Sequence, residues 1–109
     1  MTEINKITEE LRKFRDERDW AQFHNPKDLA LALSIEASEL LEVFLWKSAE
    51  NADPDKVKEE LADVFAYAFM LADKYGLDVA QIMRDKLAKN KLKYPADKAR
   101  GSAKKYNEL

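Results

Sequence analysis

The sequence contains no cysteine, and only two glycines and three prolines occur among its 109 residues. The lack of cysteine excludes disulfide bonds, thiolate catalysis and zinc sites built from cysteine. The scarcity of glycine and proline disfavours a turn-rich β fold and indicates long helices. No apolar run is long enough to span a membrane, and the first residues carry no apolar signal core. We therefore expect a single helical domain in the cytoplasm, without contact with a membrane.

The charge is nearly balanced overall but unevenly distributed along the chain. Residues 26–75 carry 11 acidic and 5 basic side chains, whereas residues 79–106 carry 9 basic and 2 acidic ones. The net charge of the whole chain is −2. An acidic middle followed by a basic end suits a cation site beside an anion site, although most single charges belong to solvated helix faces. The pI of about 5.5 argues against a partner that is a nucleic-acid polymer.

Four predicted helices account for most of the chain. Apolar residues recur at helical spacing, and the pairs Asn25-Pro26 and Asp53-Pro54 each supply an N-cap followed by proline at the first helical position. Gly76 ends the third helix, and Asp78 begins the fourth with a capping-box pattern. The predicted helices cover about residues 3–19, 26–47, 54–75 and 78–94.

The second predicted helix is apolar on nearly all sides, which predicts that most of its surface is buried. A chain of 109 residues with two strongly apolar helices cannot easily cover both in one four-helix unit, so we expect a homo-oligomer, a dimer at least. Pro95 ends the fourth helix, and polar, basic residues follow it. The predicted fold class is therefore all-α, a four-helix bundle over residues 1–95 with a basic C-terminal tail over residues 96–109.

Two pairs of acidic residues lie within these otherwise apolar helices. Glu36 and Glu39 are three residues apart and share a helix face, and Glu60 and Asp63 repeat this spacing on the third helix. If the two helices pack together, the carboxylates raise one another's pKa, and a proton, basic partners or a metal ion must compensate. Oxygen ligands alone favour Mg²⁺, with Mn²⁺ as an alternative. A ferritin-like di-iron site would need Glu-x-x-His pairs, and His24 is the only histidine.

The segments Glu36-Ala-Ser-Glu39 and Glu60-Leu-Ala-Asp63 resemble the EXXE and EXXD signature of the all-α nucleoside triphosphate pyrophosphohydrolases, the MazG-like superfamily. The resemblance implies a Mg²⁺-dependent hydrolysis of a nucleoside triphosphate between its α and β phosphates, as part of nucleotide-pool housecleaning. It also implies a homo-oligomer, specifically a tetramer. Further segments, spread over essentially the whole chain, are similar to the dCTP pyrophosphatases and imply a preference for dCTP: residues 15–26, 44–47, 90–95 and 104–109.

The same resemblance assigns roles to individual residues. Glu36, Glu39, Glu60 and Asp63 would bind the metal, Glu36 and Glu39 would be catalytic, and Glu39 would accept a proton from the attacking water. Residues that match the Lys…Asn…Tyr-Pro pattern of the family would hold the β and γ phosphates, whereas lysines at a helix end are otherwise simply solvated. These phosphate-binding candidates are Lys86, Asn90 and Tyr94, with Lys93 and Lys47 as additional candidates.

A nucleotide base needs a flat apolar partner, and stacking on such a ring contributes about 1–3 kcal/mol per base. The resemblance implies a base pocket made by Trp20, Trp46 and Tyr67. Aromatic residues at helical spacing usually belong to the core, which predicts a core position for Phe14, Phe44, Phe65 and Phe69, with Phe23 and His24 at the rim of the pocket.

Two other functions stay open at this point. One is a related helical hydrolase with a different base preference, such as a dUTPase-like enzyme. The other is a helix-bundle interaction protein whose acidic residues are merely on its surface. Stabilisation by Mg²⁺ distinguishes the second from an enzyme, since solvated acids bind little metal.

Overall fold

The computed structural model describes all 109 residues, which form helices and no strands. The predicted all-α class, with four long helices, is confirmed. None of the helices combines the length and the apolar character required to cross a bilayer. The helices are α1 (Glu3–Glu17), α2 (Pro26–Glu42), α3 (Pro54–Lys74), α4 (Val79–Lys93) and the short α5 (Ala96–Ala99), and single 3-10 turns lie at Ala21–Phe23, Ala49–Asn51 and Tyr106–Glu108.

Polar side chains set the residues at which the long helices begin. The side chain of Asn25 accepts a hydrogen bond from the N–H of Asp28 at 2.9 Å, at the start of α2. Asp53 accepts in the same way from the N–H of Asp55 at 3.0 Å, at the start of α3, and Asp78 caps α4. Each cap satisfies an N–H group that has no partner within the first helical turn. The predicted N-caps are therefore confirmed. The capping box at Asp78 is only half formed, because the side chain of Gln81 donates to Asp85 rather than bonding back to Asp78.

Both α1 and α3 end at a residue in the left-handed region of backbone conformation. Gly76, with a φ of 64°, follows α3, and the next N–H donates back to the last turn of that helix at 2.9 Å. After α1 the equivalent position belongs to Asp19, with a φ of 53°. The N–H of Trp20 then donates to the carbonyl of Arg15 at 3.0 Å, which fixes the tryptophan directly beside the end of α1.

The second helix is shorter than the sequence predicts. Regular α-helix stops at Glu42 rather than near residue 47, and the chain continues as far as Lys47 in tight turns closed by hydrogen bonds between residues three apart. Within these turns Trp46 has a φ of 61°, which a bulky aromatic residue rarely adopts. The apolar pattern of this segment suits an α-helix and a run of tight turns equally, so it could not mark the change.

The chain divides into two compact units, Met1–Leu77 and Asp78–Leu109. In the first unit, α3 packs extensively along α2 and over a smaller area against α1. Arg12 of α1 and Asp73 of α3 form a two-pronged ion pair, with the Nε of Arg12 2.9 Å from Asp73. This pair lets each carboxylate oxygen accept one hydrogen bond and fixes the position of α1 on α3.

The apolar core of a single chain is small. Its buried apolar residues are Leu29, which is fully buried at 1% exposure, and Ala72. The expectation that α2 is buried on most sides is wrong for the chain on its own, because Ile35 is 58% exposed. The core positions predicted for Phe14 and Phe65 are also wrong here, since both side chains are about half exposed. Periodicity identified apolar faces, but it could not tell whether the same chain covers them.

The second unit contains α4, α5 and the C-terminal turn. Tyr94, at the end of α4, meets Tyr106 edge to face with 6.2 Å between ring centres. The Nζ atom of Lys93 lies 5.0 Å from the ring centre of Tyr106, as a cation–π pair. The predicted polar tail therefore contains ordered turns, including α5. The sequence did not reveal α5, because α5 is a single helical turn without an apolar repeat.

Candidate metal and nucleotide site

Packing of α2 against α3 brings the acidic residues together. Carboxylate oxygens of Glu36, Glu60 and Asp63 lie within 4.8 Å of one another. They meet because the spacing of three residues places each pair on one helix face, and these faces belong to the α2–α3 contact. Glu39 lies beside Glu36 and Glu60, at the edge of this group rather than within it. Glu36, Glu60 and Asp63 are called the carboxylate cluster below.

The carboxylate cluster has the properties of a cation site. The Oε2 atoms of Glu36 and Glu60 are buried and accept no hydrogen bond, which is costly for a carboxylate unless a cation or a proton satisfies it. Burial, and then the nearby Glu39, Asp63 and Glu60 carboxylates, raise the pKa of Glu36 to about 7. Burial and then Glu39 also raise the pKa of Glu60. An all-oxygen donor set of this kind fits a hard divalent cation.

A pocket of about 230 Å³ adjoins the cluster and shares Asp63 with it. Trp20 and Tyr67, two of the residues predicted for the base pocket, line this cavity. Phe14 also lines it and meets Trp20 edge to face, with 5.7 Å between ring centres. Phe14 therefore forms part of an aromatic wall rather than of the core. Leu11 of α1 adds an aliphatic side chain to the same pocket.

Polar groups from two further residues reach this aromatic pocket. His24 lies edge to face with Tyr67 at 6.5 Å between ring centres, and its Nδ1 is buried without a hydrogen-bond partner. Burial, and then the positive charges of Arg15 and Lys74, lower the pKa of His24, so its ring is neutral at pH 7 and offers one donor and one acceptor. Arg15 lines the pocket as well. From the sequence, His24 was predicted only at the rim of the base pocket, although His24 belongs to the segment 15–26, which is similar to the dCTP pyrophosphatases.

An open groove of about 540 Å³ begins at Glu39 and Glu60. Lys47, a predicted phosphate-binding residue, lines it from the turns after α2, and Lys56 lines it from the first turn of α3. Neither lysine has a carboxylate within 4.0 Å, since the ion pairs of the chain are formed by its arginines. The sequence did not single out Lys56. Its position four residues before Glu60, on the same helix face, was the signal that could have identified it.

The other predicted site residues lie elsewhere in the chain. Trp46 is 94% exposed and lines neither the aromatic pocket nor the groove. Its place in a base pocket remains a prediction. The phosphate-binding roles of the remaining candidates also remain predictions, and these residues belong to the second unit: Lys86, Asn90 and Lys93 on α4, and Tyr94 at its end.

Comparisons with known proteins show which family the chain belongs to. The chain is 41% identical to dCTP pyrophosphatase 1 of Mus musculus and 40% identical to that of Homo sapiens over an alignment of length 105, which in each case covers 89% of this chain and 62% of the relative. The chain thus spans less than two thirds of the length of these curated relatives. A crystal structure of a pyrophosphatase from Archaeoglobus fulgidus has a TM-score of 0.80 and 36% identity, covering 87% of this chain and 94% of that one. Residues 31–109 match the MazG-like family, and the chain belongs to this family.

Proposed function

We propose that this chain is a Mg²⁺-dependent nucleoside triphosphate pyrophosphohydrolase, which converts a deoxynucleoside triphosphate and water to the monophosphate and pyrophosphate. The proposal depends above all on one juxtaposition: a carboxylate cluster with two unpartnered buried oxygens shares Asp63 with a pocket lined by Trp20 and Tyr67. A cation site and a base-sized aromatic cavity in contact with each other suit a substrate with a phosphate end and a base end. The names of the relatives in Mus musculus and Archaeoglobus fulgidus support the same chemistry.

In this proposal Glu36, Glu60 and Asp63 hold the divalent ion, with Glu39 completing the acidic set. A bound Mg²⁺ ion, or Mn²⁺ as an alternative, supplies neutralisation of the phosphate charge and a lower pKa for a bound water. Glu39 stands at the edge of the cluster and also lines the open groove, so its carboxylate is available to accept a proton from the attacking water. The lone His24 faces the aromatic pocket and is not required as a base.

The aromatic pocket would hold the base, with Trp20 and Tyr67 providing stacking surfaces. Stacking tolerates any base, so discrimination must come from hydrogen bonds to the base edge and from the size of the pocket. Besides Asp63 and the polar atoms of Trp20 and Tyr67, the polar groups in the pocket are those of His24 and Arg15, whereas Leu11 offers none. The left-handed backbone of Trp46 supports a functional role for that residue, because strained residues cluster at functional sites. We propose dCTP as a favoured substrate.

Product analysis tests the chemistry. Incubation of the chain with dCTP and Mg²⁺ should yield dCMP and intact pyrophosphate, and excess EDTA or the Glu60→Gln substitution should nearly abolish turnover. Release of orthophosphate and dCDP would show cleavage of the β–γ bond and contradict the proposal. A panel of all common nucleoside triphosphates then tests the base preference, and turnover of dUTP alone would favour the dUTPase-like alternative. No turnover together with no stabilisation by Mg²⁺ would favour an interaction protein.

A further inference from the structure

One face of α3 carries chemically different groups in a regular order. Lys56 precedes Glu60 by four residues, Asp63 follows three residues later, and Tyr67 follows after four more. Residues at these spacings share a face, and the rise of an α-helix separates Lys56 from Tyr67 by about 16 Å. The face therefore presents a cation, two members of the carboxylate cluster and one wall of the aromatic pocket in sequence.

The helix dipole does not account for the position of Lys56. It lies in the first turn of α3, where the helix dipole favours acidic residues and disfavours basic ones. It has no ion-pair partner, although Glu42 and Glu59 line the same groove. Lys47 enters this groove from the turns after α2 and is unpaired as well. Two unpaired lysines from separate segments therefore meet in a groove that begins at the carboxylate cluster.

Building on the function proposed above, we propose that Lys56 and Lys47 form a binding site for the terminal phosphates of the triphosphate substrate. With the base in the pocket at Tyr67 and the reacting phosphate at the carboxylate cluster, the rest of the triphosphate extends along α3 to Lys56. Ammonium groups are strong donors to phosphate oxygens. Four carboxylates line the same groove, those of Glu39, Glu42, Glu59 and Glu60. The alternative role of the two lysines is to neutralise these acids through space.

Equilibrium binding of two products separates these roles. Inorganic pyrophosphate, titrated with Mg²⁺, reports on the phosphate end of the site, and dCMP reports on the nucleoside end. We expect Lys56→Gln to weaken pyrophosphate binding on the order of tenfold, as for the loss of a hydrogen bond from a charged group. The affinity for dCMP should stay unchanged. Lys47→Gln should have a similar effect, and the double variant should be weaker than either single one.

Lys58→Gln is the matched control, because it removes the same charge from the same helix two residues away, outside the groove. Equal pyrophosphate affinities for Lys56→Gln and Lys58→Gln would overturn the proposal, as would a Lys56→Gln variant that binds dCMP and pyrophosphate equally poorly. If the wild-type chain hydrolyses its substrate normally and either of these results is obtained, the proposed anion site is refuted and the proposed function is retained. Lys56-dependent pyrophosphate binding by a chain that hydrolyses no nucleoside triphosphate would retain the anion site and refute the proposed function.

Discussion

At Glu36, the protonation state that favours folding differs from the one that favours metal binding. Its Oε2 atom is buried without a donor, and burial together with three neighbouring carboxylates raises its pKa to about 7. The folded chain therefore keeps a proton on Glu36 over a pH range in which the unfolded chain has released it. In the absence of metal, this residue contributes stability below its ordinary pKa, and the contribution is lost as pH rises towards 7.

We predict that stabilisation by Mg²⁺ grows with pH across this range. A cation competes with the proton for the same oxygens, so the rise in Tm caused by excess Mg²⁺ should be small at about pH 6 and clearly larger at about pH 8. Thermal unfolding with and without the ion measures it. Glu36→Gln should be more stable than the wild type at about pH 8 without metal, and should lose most of the Mg²⁺ effect. A Mg²⁺ effect independent of pH would contradict this role of Glu36.

Individual residues also mark how far the site could be foreseen from the sequence. The four acidic residues and the pair Trp20 and Tyr67 were identified because helical spacing and short motifs are local properties of a sequence. His24 was predicted only at the rim of the pocket, because its contact with Tyr67 joins residues that are far apart in the chain. Lys56 was missed, although its position four residues before Glu60 is a local signal. The exposure of Trp46 could not be predicted either, since nothing in the sequence indicates a left-handed backbone at a tryptophan.

At the scale of helices, the N-terminal ends were easier to predict from the sequence than the C-terminal ends. Asn25 and Asp53 act through a side chain and a following proline that are visible in the sequence. The end of α2 has no glycine or proline, and the change from α-helix to tight turns at Glu42 follows from backbone hydrogen bonds alone. Gly76, by contrast, marked the end of α3 correctly, because its left-handed backbone conformation favours glycine.

We predict that Gly76→Ala destabilises the chain by about 1–2 kcal/mol. A Cβ atom added at this position meets no other atom within 4 Å, so the cost comes from the backbone, which has a φ of 64°. Urea unfolding followed by helical circular dichroism measures the loss. Gly76→Asn is the matched control, since asparagine tolerates this conformation and should cost less than alanine. Equal losses for the two variants would indicate a cause other than backbone conformation.

For the molecule as a whole, a large part of the apolar surface is exposed in a single chain. Side chains of Ile7, Leu11 and Phe65 line an apolar groove of about 440 Å³ that no part of the first unit fills. On α2, Leu31 and Ile35 are more than half exposed. Exposed apolar grooves and side chains of this kind mark protein contacts more often than free surface.

We predict a homo-oligomer in solution, a dimer at least and a tetramer by family resemblance. Light scattering on the wild-type chain should give a multiple of the 12.6 kDa monomer mass. Ile35→Glu should lower the mass, because a charge cannot be buried in an apolar contact without a partner. Lys13→Glu introduces the same residue at an exposed polar position of α1 and should leave the mass unchanged. A fully active wild-type monomer would contradict this prediction.

Trp46 offers an optical measure of the same association. Its indole is almost entirely in water in a single chain, and Trp20 is the only other tryptophan. A Trp20→Phe variant would therefore report on Trp46 alone. If another copy or a nucleotide covers the ring, its fluorescence emission should lie at shorter wavelength than that of a free indole, and dilution should shift it to longer wavelength as the copies separate. Emission that matches free tryptophan at every concentration, with and without nucleotide, would mean that the ring stays in water.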